Sequence, residues 1–153
     1  MILWRLTPRR WEASALNGVG SSLAGGRWNS KGLLAVYLST DAATTVLETL
    51  TTFSRATAPP EGYRLLKVSY EGSSYEPPLA SLPRQWDRPD DASAARAFGD
   101  AFLRANSAGL LLVPSVFLKS AINAVLNPLH PDAAHARVIG IEDFSFDPRW
   151  PLK

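Results

Sequence analysis

"LLAVYLSTDAATTVLETLTTFSR", residues 33–55, changes its apolar rhythm half-way. Leu33 to Ser39 is a short, nearly continuous apolar run of the kind that forms a buried strand. From Ala43 the rhythm is helical, with Ala43, Val46, Leu47 and Leu50 on one face and Thr40 or Asp41 placed to cap the first turn. Strand character recurs in "ILWRL" (2–6), "RLLKVSYE" (64–71), "GLLLVPS" (109–115) and "ARVIGIEDFSFD" (136–147), the last with a slip near Glu142 and Asp143 that predicts a bend or bulge. Helical character recurs in "DASAARAFGDAFLRAN" (91–106), with Ser93 as candidate cap, and in "KSAINAVLN" (119–127), which stops at Pro128. Two proline-rich connections separate these elements: "ATAPPEG" (56–62) and "YEPPLASLPRQWDRPDD" (75–91), the second long enough for a surface excursion or flap. The expected fold class is α+β: one domain over residues 1–153, with a mixed or antiparallel central sheet and short flanking helices.

Composition narrows the chemistry. A chain of 153 residues, 46% apolar and 20% charged, has the balance of one globular domain. No apolar run approaches the roughly 20 residues of a membrane helix, and Arg5 interrupts the N-terminus before any signal core forms, so the chain is expected to stay in the compartment where it is made. Without cysteine there is no disulfide, thiolate zinc site or thiol nucleophile. His130 and His135 alone make a poor metal cluster, and no metal is expected. The net charge is only +2, with twelve arginines scattered among four lysines, which is not a nucleic-acid footprint. A non-catalytic nucleic-acid-binding module using those arginines and the five tryptophans remains an alternative, and two histidines are thin support for a ribonuclease.

Three stretches carry groups suited to a site. Gly25 and Gly26 allow a tight turn with amides close to a ligand, and Arg27 adds a planar guanidinium, which together suit a phosphate or carboxylate. The same residues also suit a hairpin whose arginine pairs with an internal acid. Asn29 either caps that turn or holds a ligand hydroxyl. Glu48 lies about 100° round the helix from Leu47, at the edge of the apolar stripe, where a carboxylate either faces a cleft or is simply solvated. Tyr37, on the preceding strand, is kept near it by the short connection. In "VPSVFLKSAINAVLNPLHP" (113–131), Ser115, Asn123, Asn127 and His130 gather polar groups near one strand end, either as turn caps or as a site. Ser115 has no nucleophile-elbow context and no evident base.

In their order along the chain, Gly-Gly-Arg-Trp-Asn at 25–29, the strand with Tyr37, the helix with Glu48, Pro114-Ser115, and Asn127-Pro128 with His130-Pro131 resemble the RES domain family. That family is named for an arginine, a glutamate and a serine, which fall here on Arg27, Glu48 and Ser115. The resemblance runs from "LWRLT" (3–7) to "FDPRW" (146–150); it departs at Trp150, where an aliphatic residue is expected, and across residues 76–93, which match nothing in the pattern.

The resemblance implies an ADP-ribosyltransferase-like fold and a cytoplasmic bacterial toxin of a type II toxin–antitoxin pair. Its substrate would be NAD, with no further cofactor. Such a toxin depletes NAD by hydrolysis or phosphorolysis of the nicotinamide–ribose bond, or transfers ADP-ribose to a host protein. The implied partner is an Xre-like helix-turn-helix antitoxin that covers the active site and through which alone nucleic acid is met, with the toxin a homodimer inside the larger complex. On this reading Glu48 holds a ribose hydroxyl and faces the developing cation, while Tyr37 stacks on nicotinamide. Arg27 and Gly26 grip the pyrophosphate, with Arg5 as a second phosphate contact. Ser115 bonds the ribose or carboxamide, and Asn127 orients a loop or a substrate hydroxyl.

Overall fold

The computed structural model describes residues 1–53 and 60–149; most of the "ATAPPEG" connection, the far end of the expected helix at Ser54 and Arg55, and Trp150 lie outside the described residues. Seven strands form one mixed sheet: β1 (Ile2–Pro8), β2 (Val36–Ser39), β3 (Tyr63–Tyr70), β4 (Ser74–Tyr75), β5 (Leu110–Pro114), β6 (Ile122–Leu126) and β7 (Ala136–Phe144). Their order across the sheet is β4-β5-β6-β2-β1-β3-β7, with β4 parallel to β5 and the other pairs antiparallel. Three helices accompany it: α1 (Val19–Ala24), α2 (Ala42–Leu50) and α3 (Ser93–Ala105). None of the described helices is long and apolar enough to cross a membrane.

The sheet cannot be flat. β3 reaches β4 through only Glu71, Gly72 and Ser73, yet the two strands are five places apart in the sheet order. Five spacings of about 4.8 Å make roughly 24 Å, while four residue steps reach at most about 14 Å. The sheet therefore curls until its two ends meet, and polar groups fasten them. The Tyr70 hydroxyl donates to the Ser73 carbonyl at 2.9 Å, Ser73 N and Oγ donate to Asp132 at 2.7 and 2.5 Å, and Gly109 N donates to Ser73 Oγ at 3.0 Å.

Period-two alternation then sorts the side chains. Val36 and Leu38, Leu66 and Val68, Leu110 and Leu112, and Ala124 and Leu126 fill the inside of the curl. On the outside, α3 covers Tyr37, Leu111, Val113 and Val125, and α2 covers Leu6, Tyr63 and Leu65. Asp41 caps α2 by accepting from Thr44 N at 2.8 Å, and Thr45 Oγ1 ties the helix to the Trp4 carbonyl at 3.0 Å.

Three expectations need correction. Residues 122–126, within the expected third helix at 119–127, are strand β6, paired on both sides and with Ala124, Val125 and Leu126 fully buried. A short apolar run without caps does not distinguish strand from helix, and the two open edges of β2 and β5 decide it. The irregularity in the last strand lies at Ile139, where Lys67 pairs Gly140 and Val68 pairs Val138, and not at Glu142–Asp143. α3 receives no side-chain cap from Ser93; instead Asp91 accepts from Ser93 N at 2.9 Å.

Tyr70→Phe removes the hydroxyl that helps fasten the curl and leaves the Ser73 carbonyl with only the bond from Leu110 N at 3.1 Å. Urea unfolding of this variant is expected to show a loss of about 1–2 kcal/mol with the fold retained.

Candidate active site

β1 and β2 share one register pair, Trp4 with Ser39, and part beyond it. Arg5 bridges the parting by donating Nη1 to the Tyr37 carbonyl at 2.8 Å. Against this seam lies a cleft of about 560 Å³, lined among others by Arg5, Gly26, Arg27, Tyr37, Glu48 and Phe117. A hollow of about 650 Å³ beside α2, between Ala43, Leu47, Leu65 and Phe144, has only apolar residues in its wall and offers no reacting group.

One wall is the 25–30 loop, which is held by its own residues and by α3. Asn29, fully buried, donates Nδ2 to the carbonyls of Leu33 and Ser21 at 2.9 and 3.1 Å. It accepts the Tyr37 hydroxyl at 2.7 Å, and that hydroxyl in turn accepts from Trp28 N at 2.9 Å. Burial pushes the Tyr37 hydroxyl well above the usual phenol range, so it stays a neutral structural donor. Asn29 is thus the cap of this turn, with no group left for a ligand hydroxyl. Three residues on one face of α3 complete the clamp. Arg96 Nε donates to the Gly26 carbonyl at 3.1 Å, Asp100 accepts from Ser30 N at 2.7 Å, and Gly99 admits the Trp28 backbone where a Cβ would collide with it.

The glycine amides expected to meet a ligand are already bonded: Gly25 N donates to the Ser21 carbonyl at 2.7 Å and Gly26 N to the Asn29 carbonyl at 2.9 Å. Gly26 serves by lacking a side chain, since a Cβ there would occupy the position of the Tyr37 hydroxyl. Among the described residues Arg27 pairs with no acid. Its Nη1 donates to the carbonyls of Trp86 and Arg88 at 3.0 and 2.9 Å, fastening the 75–91 excursion, whose Trp86 ring stacks on Trp28 at 6.0 Å. Among the described residues Nε and Nη2 take no partner, leaving the other edge of the guanidinium as a fork. Arg5 also lines the cleft; its Nε is buried with no partner among the described residues, and desolvation draws its pKa down to about 10, still charged at neutral pH.

At the other end, α2 presents Glu48 one turn after the Thr45 anchor. Glu48 Oε1 accepts from Ser115 Oγ at 2.7 Å and Asn123 Nδ2 at 2.6 Å. Ser39, the register partner of Asn123, donates to Asn123 Oδ1 at 2.7 Å and so fixes which way that amide points. The second carboxylate oxygen takes no hydrogen bond among the described residues.

Ser115 departs from its expected role at the substrate. It is fully buried behind Glu48, gives its proton to the carboxylate, and accepts from Phe117 N at 3.1 Å and more weakly from Leu118 N at 3.4 Å. With its donor engaged it has none for a ligand; it is a positioning group. Asn127 is not brought to the cleft at all. Four residues of strand, about 13 Å, separate it from Asn123. Its amide donates to the Leu103 carbonyl at 3.1 Å and Asn106 Oδ1 at 2.8 Å, joining β6 to the end of α3. His130 likewise caps its own turn, accepting from Asp132 N at 3.0 Å. No group of three or more acidic or histidine side chains among the described residues is arranged to hold a metal.

A family model described as the RES domain matches residues 2–152. The chain belongs to the RES domain family. It is 32% identical over 151 residues to the "Prs ADP-ribosylating toxin" of Sphingobium sp. (strain YBL2), covering 95% of this chain and 94% of that protein. It is 33% identical to the proteins named "Toxin Res" of Yersinia enterocolitica and Pseudomonas putida, in each case covering 97% of this chain and 99% of the relative. The fold matches a chain of the crystal structure of the M. tuberculosis MbcT–MbcA toxin–antitoxin complex, with a TM-score of 0.77, 23% identity, and coverage of 94% of this chain and 84% of that one. Of the arginine, glutamate and serine that the resemblance matches to the family's name, Arg27 and Glu48 line the cleft and Ser115 stands behind it. Asn123 stands among the polar groups expected near the strand end but without a role, and Ser39 is not among them, because a helical reading of 119–127 hides their pairing. Strand alternation through Asn123 and Val125 is the signal that exposes it.

Gly99→Ala gains about 1 kcal/mol of helix propensity but forces α3 and Trp28 apart, at about 1–3 kcal/mol. A net loss of stability in chemical denaturation is expected; a more stable variant would contradict the close packing.

Proposed function

We propose that this chain is the toxin of a toxin–antitoxin pair and cleaves NAD at the nicotinamide–ribose bond. The observation that carries the reading is Glu48: a carboxylate with one oxygen held by Ser115 and Asn123 and the other without a hydrogen bond among the described residues, in the wall of a cleft that Arg5 and Arg27 also line. Bond cleavage builds positive charge on the ribose, and a fixed anion beside C1 stabilises that charge more as it grows. Oε2 accepts a ribose hydroxyl, which also orients the sugar. The free edge of Arg27 takes the pyrophosphate with the charge of Arg5 beside it, and Tyr37 walls the sugar. The names of the relatives support this reading.

Water, phosphate or a protein side chain completes the reaction at C1. Loss of free NAD by hydrolysis or phosphorolysis is the first reading. ADP-ribosylation of a host protein is the second, favoured by the Sphingobium relative's name. On the same reading the partner is an Xre-like antitoxin whose C-terminal segment covers the cleft, in a complex that holds two toxin copies.

Purified protein incubated with NAD, with and without phosphate and lysate, separates the acceptors by mass spectrometry of the products. Glu48→Gln keeps the hydrogen bonds' shape without the charge and is expected to lower turnover by at least about a hundredfold with the fold intact. Ser115→Ala, out of reach of substrate, is expected to lower kcat with KM little changed. Parental turnover by Glu48→Gln would remove the assignment.

Arg5→Met replaces a desolvated, incompletely bonded cation by an apolar side chain of similar length. Its thermal stability is expected to equal or exceed the parent's, while calorimetry shows NAD affinity falling about tenfold or more.

A further inference from the structure

Phe117 is 51% exposed at the lip of the cleft, the most exposed aromatic residue in its wall. It sits in the connection between β5 and β6, which is closed at its base by Ser115 N to the Ala121 carbonyl and Ala121 N to the Leu118 carbonyl, both at 2.8 Å. The Phe117 amide donates to the same Ser115 Oγ that donates to Glu48. Its backbone is therefore fixed at two hydrogen bonds' distance, on the order of 6 Å, from the carboxylate. At the arginine end the aromatic rings are committed to packing: Trp28 is buried against Trp86, and Tyr37 is held by its hydroxyl. Among the described residues that line the cleft, Phe117 alone combines an exposed ring with a backbone tied through Ser115 to Glu48.

Resting on the reading of Glu48 as the group beside ribose C1, we propose that Phe117 is the residue that selects the leaving group, by stacking its face on a planar aromatic cation. The nicotinamide ring of NAD carries a positive charge while the glycosidic bond is intact. When that bond breaks, its electron pair passes to the ring nitrogen, the ring leaves neutral, and the ribose takes the positive charge. A phenyl face attracts the cationic ring of the bound substrate more than the neutral ring of the product. Phe117 thus holds substrate before the reaction and loosens its hold afterwards. Ser115 couples the two ends of this device, setting the carboxylate and the turn that carries the ring with one hydroxyl.

Phe117→Leu keeps an exposed apolar side chain and removes the π face; Phe117→Ala and Phe117→Trp bracket it. For Phe117→Leu and Phe117→Ala the expected result is a KM for NAD raised roughly three- to thirtyfold with kcat unchanged or increased. Phe117→Trp is expected to restore the parental KM, and ADP-ribose, which lacks the ring, to bind all variants alike in calorimetry. An unchanged KM in Phe117→Leu, an equal loss of ADP-ribose affinity, or a fall in kcat alone overturns the assignment. A parental protein that neither binds nor cleaves NAD overturns the function on which it rests; parental turnover matched by Phe117→Leu overturns only the role of Phe117.

Discussion

Glu71, Gly72 and Ser73 join a strand near one edge of the sheet to the strand at the other, and that short connection imposes the curvature on which the molecule depends. A curled sheet has a concave face that closes on itself, so Leu66 and Val68 reach Leu110 and Leu112 without a covering layer of helices. Curvature must be released somewhere, and the seam where β1 and β2 share only the Trp4–Ser39 pair provides that release. The opening needed for a cleft is thus a by-product of closing the core. α2 and α3 occupy the convex side, and each delivers one wall: α2 brings Glu48, and α3 grips the 25–30 loop through Arg96, Gly99 and Asp100.

The distribution of satisfied and unsatisfied polar groups separates structure from chemistry. Asn29, Asn127, Ser115 and Asp100 are buried and bonded, as buried polar groups must be. Among the described residues, the second oxygen of Glu48 and the far edge of Arg27 carry no hydrogen bond, and both residues line one cleft together with Arg5. A desolvated guanidinium whose Nε has no partner costs folding free energy.

Much of the frame was legible in the sequence. β1, β2, β3, β5 and β7, and helices α2 and α3, follow from apolar period alone, and the glycine–arginine turn and Glu48 do share a cleft. What failed was long-range. Whether Ile122 to Leu126 pairs as a strand depends on the edges of β2 and β5, about 80 residues apart along the chain, and no local signal carries that. Asn127 drew attention for its polarity beside a proline, yet its position beyond the end of β6 turns it toward α3. Ser115 meets the turn-cap alternative, accepting from Phe117 N and Leu118 N, and not the substrate contact that the resemblance implies, because its donor is already engaged with Glu48. The clamp on α3 was hidden for the same reason, since Arg96, Gly99 and Asp100 look unremarkable until the loop they hold is folded against them.

Arg27 binds the 75–91 excursion through the carbonyls of Trp86 and Arg88 rather than through their side chains. Main-chain oxygens are the same whatever residue carries them. Outside the buried Pro77, Leu82 and Trp86 and the Asp87 that pairs with Lys119, this segment is therefore free to vary in composition, whereas a single insertion or deletion would move both oxygens out of register with the guanidinium. Drift in letters is permitted and drift in length is not, which is the behaviour to look for in a stretch that holds a cleft arginine by its backbone.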